Sequence, residues 1–324
     1  MALVWRSIQV EDTPAWSVLS NLLARQDDTD EVYGPEDLAE EIAEPGFDAS
    51  VDSLAVWDGD TMVGFGQLRV SDTLRDGRAK AHIGGGVVGD HRGRGIGREI
   101  MDRMEERGRE LSGQRHPGIP TTVDVWSGKP GSSAARMVAA RGYEPVRYFQ
   151  DMRVYLARWE APAAPTMAEA PDSPAVAFAP EYAEATRVAH NEAFADHWGS
   201  TERSVEKWLD QLNSRSFRPG YSRLVLNPEP TASQDDAVDS YLLSGEWAPG
   251  ELYVSLVGTR RRARGRGHAG RMLTDVVRAA KEDGYRIVDL GVDSDSPTGA
   301  VGLYERVGFR KIRTNVVFSR LLRP

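Results

Sequence analysis

Arg92-Gly93-Arg94-Gly95-Ile96-Gly97 and Arg262-Ala263-Arg264-Gly265-Arg266-Gly267 are two arginine- and glycine-rich stretches 170 residues apart in a chain of 324. Each follows an apolar run that reads as a strand, and each opens an amphipathic helix. Glycines let backbone N–H groups approach an anion at a helix N-terminus, where the helix dipole favours negative charge. The pattern predicts a diphosphate cradle. Its recurrence predicts that one domain occurs twice.

The surroundings of the two loops match in order. In the first half, residues 53–56 and 62–70 read as a hairpin around Asp58-Gly59-Asp60. Residues 81–88 form the strand before the loop, and Ile96, Ile100, Met101 and Met104 share one face of the helix after it. A strand at 121–126 and a short helix ending at Arg141-Gly142-Tyr143 follow. In the second half, 223–226 and 238–244 form the hairpin and 251–257 precedes the loop. The next helix aligns Ala269, Met272, Leu273, Val276, Val277 and Ala280, and 287–292 with Val307-Gly308-Phe309 completes the unit. Between the halves, residues 157–177 hold four prolines among alanines, the composition of a linker. The expected organisation is a first domain over 1–158, a linker over 159–176 and a second domain over 177–324.

Composition narrows the function classes. Apolar residues make up 40% and charged residues 27% of the chain, as in globular proteins. No apolar run is long enough for a membrane span, and the first residues lack the blocks of a secretory leader. Cysteine is absent, which excludes disulfides, thiolate metal sites and a cysteine nucleophile, and suits a cytoplasmic protein. A net charge of −9 argues against a nucleic-acid partner, which would ask for a basic face. Six arginines nevertheless crowd residues 259–271, a patch suited to a small polyanion.

The pattern Arg-x-x-Gly-x-Gly between strand and helix, followed downstream by Leu303-Tyr304-Glu305-Arg306-Val307-Gly308-Phe309, resembles the GNAT superfamily of acetyl-CoA-dependent N-acetyltransferases. The likeness is close over 180–324 and looser over 4–156, and two such domains in tandem look like mycothiol synthase and related bacterial acetyltransferases. It implies an α/β (mixed α+β) fold of two tandem domains. Each would be a mostly antiparallel twisted sheet flanked by helices, with a splayed central strand. It also implies acetyl-CoA as co-substrate, without a metal. By this resemblance Leu256 and Val257 meet the pantetheine amides, while Arg262, Arg264, Gly265, Arg266, Gly267 and His268 surround the pyrophosphate. The corresponding residues of the first half are Val87, Val88, Arg92, Arg94, Gly95 and Gly97.

Acetyl transfer to an amine needs a deprotonated nucleophile, a polarised thioester and a proton for the departing thiolate. Tyr304 occupies the family's tyrosine position, four residues before Gly308, and is the candidate acid. Glu251, at the start of the strand entering the loop, is the candidate base, with Glu246, Asp293 and Asp295 as competitors. Phe194, His197 and Trp198 fall where the family places its acceptor pocket, whereas His190, Asp196 and His197 are too widely spaced to read as a metal site.

In the first half Val138 stands at the tyrosine position and Ala81, beside His82, at the position of the base. One catalytic unit, the second, is expected beside a structural copy, with His82 as the competing base there. The expected reaction is direct transfer in a ternary complex to a primary amine of a small molecule. A peptide N-terminus, or an acyl-CoA sensor without chemistry, are the alternatives. No nucleic-acid or membrane partner is expected, and the chain is expected to be a monomer or homodimer.

Overall fold

The computed structural model describes residues 2–29, 31–162, 174–195, 197–198, 200–230, 234–296 and 299–324. The chain divides into two compact units, Met1–Tyr148 with Thr314–Pro324, and Phe149–Arg313.

The first unit contains β1 (Val4–Arg6), α1 (Thr13–Asp27), α2 (Pro35–Ile42), α3 (Ala49–Asp52), β2 (Ser53–Asp58), β3 (Thr61–Val70) and β4 (Ala79–Val87). The long helix α4 (Ile96–Arg115), β5 (Thr121–Trp126) and α5 (Ser133–Ala140) follow. Its strands run β1-β2-β3-β4-β5, antiparallel except for the parallel pair β4–β5. Ile96, Ile100, Met101, Met104 and Leu111 of α4 are buried against this sheet, as the helical spacing predicts.

The second unit repeats the plan. It begins within β6 (Glu144–Tyr155) and continues through β7 (Ala175–Ala177), α6 (Ala183–Ala193), α7 (Val205–Asn213), β8 (Arg223–Leu226), β9 (Val238–Ala248) and β10 (Glu251–Thr259). It ends with α8 (His268–Glu282), β11 (Ile287–Asp293) and α9 (Ala300–Val307), and its strands run β6-β11-β10-β9-β8-β7. Only β10–β11 is parallel. Met272, Leu273, Val276, Val277 and Ala280 of α8 are fully buried and seal one face of this sheet. Phe178, Trp208, Leu224, Tyr241 and Leu243 form a second cluster under α6 and α7 on the other.

Each half gives its last strand to the other unit. Residues 149–155 of β6 pair with β11, and residues 317–323 of β12 (Arg310–Arg323) pair with β5. The sheet register therefore draws the unit boundary at Tyr148, ahead of the proline-rich stretch. The opening of that stretch is ordered core: Trp159 is buried, its indole N–H donates to the Val307 carbonyl at 2.7 Å, and Lys281 holds its carbonyl. An indole buried with its N–H satisfied makes a good anchor. Most of the remaining linker residues, 163–173, lie outside the described residues.

Candidate active site

The second unit's site begins where two parallel strands part. β10 and β11 pair only from Glu251–Ile287 to Val254–Leu290, although β10 continues to Thr259 and β11 to Asp293. A register shift between Val254 and Leu256 against β9 turns β10 aside. Beyond it, Ser255 to Gly258 line a cavity of about 820 Å³ instead of pairing with β11. This segment stays paired with β9, so only its β11-facing edge lacks a ladder, and an extended amide-bearing ligand can supply the partner there.

The segment beyond the splay is clamped by β9. Ser240 donates to the Gly258 carbonyl at 2.9 Å, and Arg260 donates to the Val238 carbonyl and pairs with Glu192. The Tyr241 ring lies where a Gly258 side chain would stand, 2.4 Å from a Cβ built there, so only glycine fits. Tyr241 is itself fully buried, with its hydroxyl 2.6 Å from His190 Nδ1.

The loop then turns through Gly265 and Gly267, both at positive φ (78° and 74°), and Gly267 caps α8. Open space surrounds the Cα of both glycines on the side where a Cβ would project. Arg264 donates to the Thr259 and Ala193 carbonyls, which leaves its charge without a carboxylate partner in the cavity wall. Among the described residues Arg266 and Arg306, which also line the cavity, form no ion pair. His268 lines it as well. Burial, then the nearby Arg271 cation, holds its imidazole below the ordinary range, so it faces the cavity neutral. Backbone N–H groups, a helix N-terminus and three arginines fit a diphosphate ester.

Tyr304 of α9 forms part of the opposite wall. It is 8% exposed, packs edge-on to Phe309, and among the described residues its hydroxyl has no hydrogen-bond partner. Burial pushes its pKa up to about 12, so the phenol keeps its proton at neutral pH. The ring is buried but the hydroxyl is not among the fully buried unpartnered atoms, so it is left available to a ligand.

The other residues singled out in the sequence fall in three places. Leu256, Val257, Arg264, Gly265, Arg266, Gly267, His268, Phe194 and His197 line the same cavity as Tyr304. Asp293 lies at its edge, buried, with a carboxylate oxygen accepting from the Asp295 amide. Trp198 stands behind the wall, packed on Phe149 at 6.5 Å. Arg262 is directed elsewhere. Its guanidinium is held by Asp236 and Asp239, so it anchors the loop from below. Glu251 does not line the cavity, whose β10 lining begins three residues later at Val254; it is half-buried and paired with Arg286 at 2.8 Å. Glu246 is fully engaged by Arg218, Tyr285 and the Gly250 amide. Burial would raise its pKa, but these hydrogen bonds outweigh burial and lower it.

The sequence reading missed the Tyr241–His190 pair and the carboxylates that tether Arg262. Tyr241 sits inside an apolar strand and His190 inside a helix, and nothing local marks their meeting. Burial, then the Arg203 and His197 charges, drives His190 down to about 3, so it is neutral in the fold. The unfolded chain takes up that proton below about pH 6.5, so stability present above that pH is lost as pH falls toward 3. Unfolding free energy should drop by about 2 kcal/mol between pH 7 and pH 5 from this group alone. Urea unfolding at both pH values checks this: the His190→Gln chain should show a flatter pH response, and an unchanged slope would contradict it.

The first unit has the same skeleton without the same chemistry. Its loop matches with Arg92 at Arg264, Gly93 at Gly265 and Gly95 at Gly267, a register of 172 residues. This differs from the spacing of 170 seen in the arginine pattern, because equivalent arginines are those that donate to the strand end, Arg92 to Val87 and Arg264 to Thr259. In this register Ala79, not Ala81, stands at the place of Glu251, and both alanines are buried. Val138 of α5 is fully buried, and the first turn of α4 at Gly97 lies against Met137. His82 is pushed down to about 4 by burial and is neutral at physiological pH. Val87 is core, Val88 packs beside it, and Arg94 follows Gly93 at the loop tip.

Comparison with known proteins agrees with this duplication. A family model described as "Acetyltransferase (GNAT) family" matches residues 16–122 and again 191–309. A mycothiol acetyltransferase of Catenulispora acidiphila is 30% identical over 237 residues, covering 72% of this chain and 70% of the relative. One from Streptomyces avermitilis is 28% identical over 269 residues, 80% of this chain and 77% of the relative. Among solved structures, a GCN5-related N-acetyltransferase from Sphaerobacter thermophilus superposes with a TM-score of 0.72 at 27% identity, covering 99% of this chain and 96% of that one. A tandem GNAT protein from the clavulanic acid pathway gives a TM-score of 0.66 at 18% identity over 100% and 99% of the two chains.

Proposed function

Because the chain belongs to the GNAT family of acetyltransferases, we propose that its second unit transfers the acetyl group of acetyl-CoA directly to a primary amine of a small molecule. The observation that carries this is that Tyr304 lines one cavity together with the splayed strand and the glycine loop. The lining fits coenzyme A: Gly265 to His268 would hold the diphosphate, and the edge of β10 at Leu256 and Val257 that faces away from β9 the pantetheine amides. Bound there, acetyl-CoA supplies the acyl group as an activated thioester. Tyr304 holds a proton at its Oη for the leaving sulfur. Glu251 is the candidate base, but because it lies outside the cavity lining and is paired with Arg286, the ammonium proton would reach it only through water. The lack of cysteine removes one acyl-enzyme nucleophile and favours direct transfer.

The small-molecule acceptor rests on the likeness to the mycothiol acetyltransferases. Incubation with acetyl-CoA and a panel of amino-sugar, aminoacyl and peptide amines should release coenzyme A thiol with at least one small amine. Release with peptide N-termini alone would redirect the acceptor class. No release on any amine, despite tight coenzyme A binding, would defeat the transferase reading of this site.

A further inference from the structure

The two loops differ at the helix end that rests on each. α1 ends at Asp27 with Asp28 as its cap, and α6 ends at Ala193 with Phe194 as its cap. The positions correspond. Gln26 Oε1 accepts from the Gly89 amide, and Glu192 Oε1 accepts from the Arg261 amide, at equivalent places before each loop. In the second unit Ala193 and Phe194 line the cavity, and besides the Thr259 carbonyl Arg264 bonds to the helix end through the Ala193 carbonyl, at 3.1 Å. In the first unit the equivalent Arg92 is clamped two-fold by the Asp27 carboxylate, Nη1 to Oδ1 at 2.8 Å and Nη2 to Oδ2 at 2.7 Å. Its Nε donates to Val87 and its Nη1 also reaches Ser133, while Asp28 pairs with Lys129.

We propose that Asp27 is a built-in counter-anion that closes the first loop to diphosphate-bearing ligands, so that each chain takes one coenzyme A, at the second loop. The bidentate pair uses the fork geometry with which arginine would otherwise grip a phosphate. The pair neutralises the loop's Arg92 before a diphosphate can meet it, so an incoming anion would have to displace the Asp27 carboxylate. Ala193 leaves both the guanidinium face and the helix N-terminus of the second loop open. This rests on the coenzyme A reading of the second loop.

Calorimetric titration of the full chain with coenzyme A tests it. The unaltered protein should bind one equivalent. Asp27→Asn, which keeps the shape and removes the charge, and Asp27→Ala should each gain a second equivalent. Placing the carboxylate in the other loop, Ala193→Asp, should weaken the one native site by about tenfold or more. Two equivalents bound by the unaltered chain, or a single equivalent in both Asp27 variants, would overturn the inference. An unaltered chain that binds no coenzyme A would instead remove the reading of the second loop, and the closure of the first with it.

Discussion

Tyr304→Phe should lower turnover by about 100-fold or more while leaving coenzyme A affinity within a few-fold of the native value. The size follows from the usual contribution of a positioned general acid. The split follows from geometry. The ring packs against Phe309 and the α9 core, and phenylalanine keeps those contacts, whereas the hydroxyl has no bond to the rest of the described protein to lose. Stability should therefore stay level, since no hydrogen bond within the described protein is lost. The alkaline limb of the pH–rate profile, set by a phenol held near 12, should vanish with the hydroxyl. Steady-state kinetics on an active acceptor, with calorimetry for coenzyme A, measures both quantities. Full turnover in the variant would show that the proton comes from elsewhere.

Gly258→Ala should damage the fold and the site together. The added methyl would meet the Tyr241 ring at 2.4–2.6 Å, and that ring cannot retreat: it is fully buried, bonded to His190 and packed edge-on to Trp208. Overpacking of this kind costs about 1–3 kcal/mol. The side with room is the cavity, because β10 is held there by β9 alone, so relief would push Val257 and Gly258 into the cavity against that clamp. Coenzyme A binding should weaken by about tenfold or more, as a shift of this cost implies. Gly265→Ala is the contrast. Open space surrounds that position, so its penalty comes from the positive φ alone, about 1 kcal/mol. Thermal unfolding and calorimetry of both chains would separate the effects, and native binding in Gly258→Ala would refute the account of the splay.

Much of the fold was legible because its signals are local. The burial stripe of α8 reads directly from residues 269–280, and the turn at Gly59 and the loop glycines announce their positions through the conformations only glycine adopts readily. The strand exchange was not legible. Residues 149–155 and 317–323 have the same alternating character whichever unit they join, and their partners lie far along the chain. The proline-rich stretch drew attention as a boundary, yet Trp159 at its start belongs to the second core.

The site shows the same division. Glycines, arginines and a tyrosine in sequence order determined the duplication, the anion loop and the candidate acid, because each depends on backbone conformation or on spacing within one strand–loop–helix segment. Which arginines face the cavity is a different matter. Arg262 turns to Asp236 and Asp239, Arg264 faces inward, and Arg92 is taken up by Asp27. The sequence by itself established two similar loops. Only the tertiary structure decided that their charges are spent differently, because an arginine's charge is directed by the carboxylates that folding brings to it, and those come from segments remote in the chain.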